Sequence, residues 1–335
     1  MSLSFTHETL PQRVVFGSVA SLADEVARLG SRPFLIASER TRVALPHAVR
    51  HTEVVMHVPV EVAARARAAA AENDVDVLVS VGGGSAVGLA KAVALTSGLP
   101  IVAVPTTYAG SEVTPIWGMT ENGRKTTGAD PRVLPRTVLY DATLTASLPV
   151  DLAVASGLNA LAHAVEAMWA PRTDPVNRAF ALEGIHYLRA GLPILDSFKG
   201  RQETLLGAHF AAVAFASAGS GLHHKICHAL GGMANLPHAQ THAVVLPHVL
   251  ALNAPAVSDR LAQAFGAASA VEGLHDVYEE IGAPRSLREL GLSEEDIPPV
   301  VDAVLEAVPP GNPVPVTAAN LTALLRRAWA GEDPQ

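Results

Sequence analysis

The chain has 335 residues, enough for two domains of ordinary size. With 49% hydrophobic and 17% charged residues, its composition is that of a globular protein and excludes intrinsic disorder. A net charge of −8 disfavours binding to a nucleic-acid backbone or an anionic membrane, although an anionic small molecule could still bind a local basic pocket.

The cysteine content and the apolar tracts of the sequence indicate the cellular compartment of the protein. The one cysteine, Cys227, cannot form an internal disulfide, which favours a reducing cytoplasm. The segment MSLSFTHETLPQRVVFG has no cationic stretch followed by an apolar one, so it does not resemble a secretion signal. The most apolar tract, FAAVAFASAGSGL from Phe210, is too short and too rich in Ser and Gly to cross a bilayer. We therefore expect a cytoplasmic protein.

Short β-branched runs alternate with helical patterns as far as Asp141. The predicted strands are Val14–Phe16, Phe34–Ser38, Thr52–Val58, Val75–Val81, Ile101–Pro105 and Thr137–Asp141. Strands that are separated by helices predict crossover connections and a mostly parallel, Rossmann-like sheet. After Asp141 only helical spacing is found. The sequence thus predicts an α/β dinucleotide-binding domain over residues 1–149 and an all-α domain over residues 150–335, divided near the proline of SLPV.

A glycine-rich turn follows the fourth predicted strand. VDVLVSVGGGSAVGLAKAVAL places Gly82, Gly83, Gly84 and Ser85 between a buried strand and a helix that is predicted to begin near Ala86. Glycines let a ligand approach the backbone closely, and the free N–H groups of a helix start suit a phosphate. The alternative is a tight turn that binds nothing. The spacing is neither that of a P-loop nor the usual G-x-G-x-x-G.

Two other strand ends favour a dinucleotide. Glu39 and Arg40 follow the second strand, where a carboxylate could hold a ribose 2′-hydroxyl and an arginine a 2′-phosphate. Thr106 and Thr107 follow Pro105, and hydroxyls at the carboxyl ends of parallel strands face the ligand crevice. Taken alone, each feature could equally be a surface pair or a polar strand end.

Histidines are concentrated in GLHHKICHALGGMANLPHAQTHAVVLPH, which holds six of the fourteen in the chain. His224 and His228 are four residues apart, so they share one helix face. His238 follows after a break that the sequence predicts at Gly231-Gly232. Asn159 and His163 repeat the four-residue spacing on another helix.

Imidazoles in this pattern could bind a transition metal, usually together with a carboxylate. Asn159 stands where that carboxylate would be, and an amide adds no charge to offset the ion. Three histidines could still bind zinc. The other interpretation is that these are hydrogen-bonded histidines of the core. The presence of six of them in one region weakens this interpretation.

In combination these motifs resemble the iron-containing alcohol dehydrogenase superfamily: GGGS after a strand, PTT closing the next strand, N-x-x-x-H, H-x-x-x-H and P-H. The resemblance extends from Phe16 to near Ala328. Within the superfamily, GGGSAVGLAKAVAL, PTTYAGSEVTPIWG, GLNALAHAVEA and LPHAQTHAVVLPH are similar to the maleylacetate reductase group. The resemblance implies the dehydroquinate synthase-like fold and a homodimer.

The resemblance also implies site residues. The superfamily's metal ligands fall on Asn159, His163, His224 and His238, with His228 as the neighbouring proton-transfer histidine. Metal-dependent members have aspartate in place of Asn159, and maleylacetate reductases are generally described as metal-free, so no metal is expected. The implied contacts of NADH or NADPH are Gly83, Gly84, Ser85, Thr106 and Thr107. Gly88 stands where many relatives have an aspartate.

The implied reaction is reduction of the C=C bond of maleylacetate to 3-oxoadipate in the degradation of aromatic compounds. An alkoxide calls for a Lewis acid, whereas the delocalised enolate formed here is less basic and could be stabilised by hydrogen-bond donors. We expect the five residues at the superfamily's ligand and proton-transfer positions to be catalytic, with His228 as the proton donor. Candidates for binding the dicarboxylate substrate are Lys225, His242 and His223, then Arg124 and Lys125, and last Arg172.

Three other functions remain open. One is a metal-dependent alcohol or lactaldehyde-type reductase of the same superfamily, which metal content would identify. Another is a lyase of the dehydroquinate synthase type, which consumes no net NADH. The third is a nucleotide sensor without catalysis, in which the histidines would serve only packing.

Overall fold

The computed structural model describes residues 4–121 and 124–335. Their contacts form two compact units, one over Thr9–Leu148 and one that joins Pro149–Gln335 with the described residues before Thr9. The N-terminal segment lies with the helices because Nδ1 of His7 contacts Oδ2 of Asp174 at 2.9 Å. The sequence had suggested that this segment belongs with the sheet.

The described residues of the first unit form eight strands: β1 (Arg13–Phe16), β2 (Pro33–Ala37), β3 (Val49–His51), β4 (Val77–Gly82), β5 (Ile101–Pro105), β6 (Ile116–Glu121), β7 (Arg124–Ala129) and β8 (Thr137–Tyr140). Six of them make one sheet in the order β1-β8-β5-β4-β2-β3. Every pairing in this sheet is parallel. The predicted parallel α/β architecture is confirmed.

Helices cover both faces of this sheet: α1 (Leu22–Ala27), α2 (Val60–Glu72) and α3 (Gly84–Ser97). Along β2, Phe34 and Ile36 pack with α2 and α3. The alternate residues, Leu35 and Ala37, pack on the other face with α1. Burial on both faces explains why these strands are continuous apolar runs in the sequence.

Two predictions about this unit are wrong. The third strand is Val49–His51, not Thr52–Val58, because His57 and Val58 have φ values of 64° and 49°, which a strand does not allow. The segment after Trp117 is not a loop, since β6 and β7 form an antiparallel hairpin. Strand β7 consists mostly of polar residues, so its sequence lacks the apolar pattern that predicts a strand.

The second unit is helical. Its α-helices are α4 (Val150–Ala167), α5 (Pro175–Gly191), α6 (Phe198–Ala218), α7 (Leu222–Ala234), α8 (His238–Phe265), α9 (Ala270–Ile281), α10 (Ile297–Ala307) and α11 (Ala318–Ala330). Helix α4 is central, because every residue from Ala153 to Ala167 is buried. No single helix in the described part of the chain is long and apolar enough to cross a membrane, although α6 and α7, bent by 96°, pass that test as a pair.

The break between α7 and α8 differs from the prediction. Gly231 and Gly232 lie inside α7. The helix ends instead at Asn235, which adopts the left-handed conformation with a φ of 51°. Pro237 then precedes α8, and its fixed φ suits the start of a helix. An asparagine, not a glycine, therefore makes the turn that brings His238 back toward α7.

Candidate active site

The glycine loop is closely packed. Strand β4 ends at Gly82, and α3 begins at Gly84, two residues before the predicted start. A Cβ atom on Gly83 would lie 2.8 Å from Cγ2 of Thr107, so a side chain there would displace the threonine. Gly83 also has no side chain to cap the first turn of α3. The loop therefore presents backbone N–H groups at a helix start, as a bound phosphate requires.

The register of the sheet places the other predicted cofactor residues beside this loop. Ala37 pairs with Val81, and Gly82 pairs with Pro105. Glu39 and Arg40 therefore follow β2 on one side of the loop, and both are exposed. On the other side Thr106 donates its N–H to the carbonyl of Gly82 at 3.1 Å. Gly84, Ser85 and Thr107 lie at the same edge of the sheet, where the carboxyl ends of the strands meet and parallel α/β sheets bind their ligands.

Gly88 lies in a position with little room for a side chain. Its position is half-buried, and a Cβ atom there would lie 2.9 Å from Cγ2 of Val58. Val58 is buried in a cluster with residues of α2 and α3, and its φ is 49°. An aspartate at position 88 would require this segment to move.

Lys91 is a residue that the sequence analysis did not single out. It is fully buried in α3 and donates to the carbonyls of Ser111 (2.6 Å), Thr114 (2.8 Å) and Ile116 (2.8 Å). Three carbonyls satisfy the three N–H donors of an ammonium group. Burial lowers the pKa of Lys91 to about 7. The lysine fixes the segment after Thr107 to the helix that begins at the glycine loop. Lys91 stands within an otherwise apolar helical pattern, and this feature of the sequence could have identified it as a buried lysine.

The predicted catalytic histidines come together in the helical unit. His163 lies on α4, His224 and His228 on α7, and His238 on α8. The ring centroids of His163 and His224 are 5.1 Å apart, those of His224 and His228 6.0 Å, and those of His228 and His238 6.5 Å. Asn159 lies one turn before His163 and is buried. His163 and His224 are also buried, whereas His228 and His238 are exposed.

His242 and His223 extend this cluster inward. The rings of His238 and His242 are 4.3 Å apart, and those of His224 and His242 are 4.7 Å apart. Behind His242, Nε2 of His223 lies 3.0 Å from its Nδ1. Both side chains have an exposed fraction of 0%. The histidine cluster thus consists of His163, His223, His224, His228, His238 and His242.

Burial keeps the inner histidines neutral. It lowers the pKa of His163, His224 and His242 well below the usual value, and the neighbouring histidines act in the same direction. It lowers the pKa of His223 to about 3. Some buried polar atoms in the described site have no hydrogen-bond partner: Asn159 Oδ1, His163 Nδ1, His223 Nδ1, His224 Nε2 and His242 Nε2. A buried site with unpaired polar atoms is suited to a polar ligand.

Glu166 is the second residue that the sequence analysis missed. It lies on α4, is fully buried, and its Oε2 is 2.5 Å from Nδ1 of His224. Its carboxylate also accepts the backbone N–H of His224 at 3.3 Å, at the start of α7. A Cβ atom on Gly221 would lie 3.0 Å from Oε1 of Glu166, so a glycine makes room for this contact. Burial raises the pKa of Glu166, while backbone N–H groups oppose that rise.

One group of metal-compatible atoms is present among the described residues. The ligand atoms of His223, Cys227 and His242 lie within 4.8 Å of one another, and all three residues are buried. The 3.0 Å contact of the two imidazoles is a hydrogen-bond distance. Burial raises the pKa of the Cys227 thiol well above its usual value, which disfavours the thiolate that a metal needs.

The lysine and arginine candidates for substrate binding differ in position and in burial. Lys225 lies on α7 between His224 and Cys227 and is half-buried. Arg172 is exposed and donates to the carbonyl of Ser217. The side chains of Arg124 and Lys125 lie outside the described part of the structure.

Models of known protein families match the sequences of both units. The family model of iron-containing alcohol dehydrogenases matches residues 11–142, and the model of the C-terminal part of that family matches residues 153–329. The chain belongs to the iron-containing alcohol dehydrogenase family. As a member of this family, it is an oxidoreductase.

Individual members of the family are similar over their whole length. A maleylacetate reductase from Delftia acidovorans is 43% identical, over 99% of this chain and 100% of its own. The crystal structure of an iron-containing alcohol dehydrogenase from Corynebacterium glutamicum is 54% identical, with a TM-score of 0.96 over 100% of this chain and 99% of the other. That of a maleylacetate reductase from a Rhizobium species is 41% identical, with a TM-score of 0.93 over 99% of this chain and 100% of the other.

Proposed function

We propose that this protein reduces the C=C bond of maleylacetate, giving 3-oxoadipate, with NADH or NADPH and without a metal ion. The observation that carries the proposal is its full-length similarity to maleylacetate reductases. Asn159 stands at the first position of the superfamily's metal-ligand set, and this neutral side chain supports a reaction without a metal ion. The reaction adds a hydride to the alkene carbon farther from the ketone and a proton to the nearer one.

The cofactor would be held at the glycine loop. Gly83, Gly84 and Ser85 offer backbone N–H groups to the pyrophosphate, and Glu39 offers a carboxylate to a ribose hydroxyl. Thr106 and Thr107 follow the neighbouring strand and would contact the nicotinamide half. When bound, NADH or NADPH supplies the hydride. The exposed pair of Glu39 and Arg40 is compatible with either cofactor.

The histidine cluster would stabilise the enolate. Neutral imidazole N–H groups can donate to the ketone oxygen, and they cost no reorganisation because packing already holds them. Each such donor contributes about 3 kcal/mol to the transition state. His163 and His238 offer such donors from two helices, whereas Nδ1 of His224 is already engaged with Glu166 at 2.5 Å.

His228 would protonate the carbon next to the ketone. It is exposed on α7, and its ring lies 6.0 Å from that of His224. An exposed imidazole exchanges protons with water, so His228 can be reprotonated after each turnover. The half-buried Lys225 follows His224 on the same helix and would attract a carboxylate of the substrate.

The donor set supports a reaction without metal. Asn159 and three imidazoles stand where metal-dependent relatives hold their ion, and none of these four side chains is a carboxylate. A divalent ion there would have no negative ligand to offset its charge in a largely buried site. These residues therefore fit a polar substrate better than they fit an ion.

The test is maleylacetate-dependent oxidation of NADH or NADPH by protein stripped with a chelator and shown by elemental analysis to be metal-free. Full activity is expected. Activity that returns only with zinc, iron or manganese would contradict the metal-free part and favour a metal-dependent reductase. Loss of that ion in Cys227→Ser would then place it at the group of His223, Cys227 and His242. No oxidation under either condition would reject maleylacetate as the substrate.

A further inference from the structure

The segment after β2 forms a tight turn beside the glycine loop. The carbonyl of Ser38 accepts the backbone N–H of Thr41 at 3.0 Å, which closes a turn with Glu39 and Arg40 at its two central positions. This turn directly follows β2, the strand that pairs with β4 and therefore neighbours the glycine loop. Both central side chains are exposed, so their position depends on the position of the turn.

Arg50 on β3 holds this turn. Its Nη2 atom donates to the carbonyls of Ser38 at 3.0 Å and Thr41 at 2.8 Å, and its Nη1 atom donates to the carbonyl of Val43 at 3.3 Å. The guanidinium group thus binds both ends of the turn with donors in one plane, an arrangement that a lysine does not reproduce. Both hydrogens of Nη2 are used in this way. Arg50 therefore acts on the backbone of the turn.

The two cofactors depend on this turn to different degrees. A carboxylate at the end of such a strand accepts a hydrogen bond from the ribose 2′-hydroxyl of NADH, whereas the 2′-phosphate of NADPH is bound by cations. A hydrogen bond to Glu39 forms only within a narrow range of distance and angle. The attraction between a phosphate and the exposed Arg40 decreases more gradually with distance. Displacement of the turn should therefore weaken NADH binding more than NADPH binding.

We propose that Arg50 is a positioning residue of the cofactor site, which holds the turn of residues 38–41 so that Glu39 reaches the ribose 2′-hydroxyl of NADH. Through the turn, Arg50 determines the relative affinity for NADH and NADPH. The inference rests on the proposed function as far as it concerns the cofactor. It does not depend on the substrate that the bound cofactor reduces.

Fluorescence titration of the full chain with each cofactor tests the proposal without maleylacetate. Arg50→Lys keeps the charge and removes the planar set of donors. We expect the Kd of NADH to rise about tenfold and that of NADPH to rise less than about threefold. Arg32→Lys is the matched control, since Arg32 stands at the other end of β2 and donates to the carbonyl of Asp74. An unchanged Kd of NADH in Arg50→Lys, or an equal rise for both cofactors, would overturn the proposal.

A double-mutant cycle separates the positioning of Glu39 from a general effect on the fold. Glu39→Gln is expected to raise the Kd of NADH about tenfold by itself. If Arg50 acts through Glu39, the double variant should bind NADH within about threefold of Glu39→Gln alone. Losses that multiply in the double variant would contradict this role. A parent protein that binds neither cofactor would reject the proposed function as well, whereas the other contrary results would reject the role of Arg50 alone.

Discussion

Glu166 and His224 are 58 residues apart in the chain, yet Oε2 of one lies 2.5 Å from Nδ1 of the other. The bond holds the imidazole by one nitrogen and leaves Nε2 without a partner in the described site. The same carboxylate accepts the backbone N–H of His224 at the start of α7. A single buried carboxylate therefore fixes both the ring of His224 and the helix that carries it.

We expect Glu166→Gln to lower kcat about tenfold or more, because a charge-assisted hydrogen bond that orients the ring is weakened. Steady-state rates with maleylacetate and NADH measure the effect. The matched control is Asp174→Asn, since Asp174 also contacts a histidine Nδ1 and caps a helix, but its partner is His7, outside the cluster. Similar losses of kcat in both variants would indicate a general structural effect instead of orientation of His224.

His228→Ala is expected to lower kcat about tenfold or more, because the proton for the carbon next to the ketone would have to come from water. The rate is measured at saturating maleylacetate and NADH. His275→Ala is the control, since His275 is an exposed histidine of α9 outside the cluster. A His228→Ala enzyme as fast as the parent would exclude His228 as the proton donor.

Asn159→Asp is expected to create a metal site, because a carboxylate would add the negative charge that the present donor set lacks. Titration of the chelator-treated proteins with zinc should show an affinity about tenfold or more above that of the parent. Asn177→Asp is the control, since Asn177 is also a buried asparagine but lies on α5. Equal zinc affinity of the parent and Asn159→Asp would show that the identity of this residue does not decide metal binding.

Gly83→Ala is expected to raise the KM for NADH about tenfold, because the added methyl group would lie 2.8 Å from Thr107 and displace the loop that holds the pyrophosphate. Cofactor affinity can also be followed by quenching of protein fluorescence. Gly17→Ala is the control within the same unit, since a Cβ atom there would have no neighbour within 4 Å. Unchanged affinity in Gly83→Ala would place the cofactor elsewhere.

Lys91→Met is expected to reduce the free energy of unfolding by about 3 kcal/mol or more, because three buried carbonyls would lose their charged donor. Urea unfolding measures the change. Lys199→Met should change stability by less than about 0.5 kcal/mol, since Lys199 is exposed on α6 and forms a surface ion pair with Glu203. A small change in the free energy of unfolding of Lys91→Met would mean that water or a rearranged backbone replaces the ammonium group as hydrogen-bond donor.

Patterns over a few residues predicted much of the first unit. Strands β2, β4 and β5 are short apolar runs, and the glycine loop follows β4 directly in the sequence. The third strand was misplaced because TEVVMHV has the composition of a strand while the backbone at His57 and Val58 is left-handed. Composition reveals neither this backbone conformation nor the packing of Val58 with residues of α2 and α3.

In the helical unit, the spacing of residues was enough to predict which of them share a helix face, because residues four apart lie one turn apart on a helix. It thereby paired Asn159 with His163 and His224 with His228. Which other residues those helix faces contact depends on how the helices pack. Burial separates the neutral inner histidines from the exposed His228. The contact of Glu166 with His224 depends on the tertiary fold, which brings the start of α7 to the end of α4. Such contacts join residues far apart in the chain, and no local periodicity encodes them.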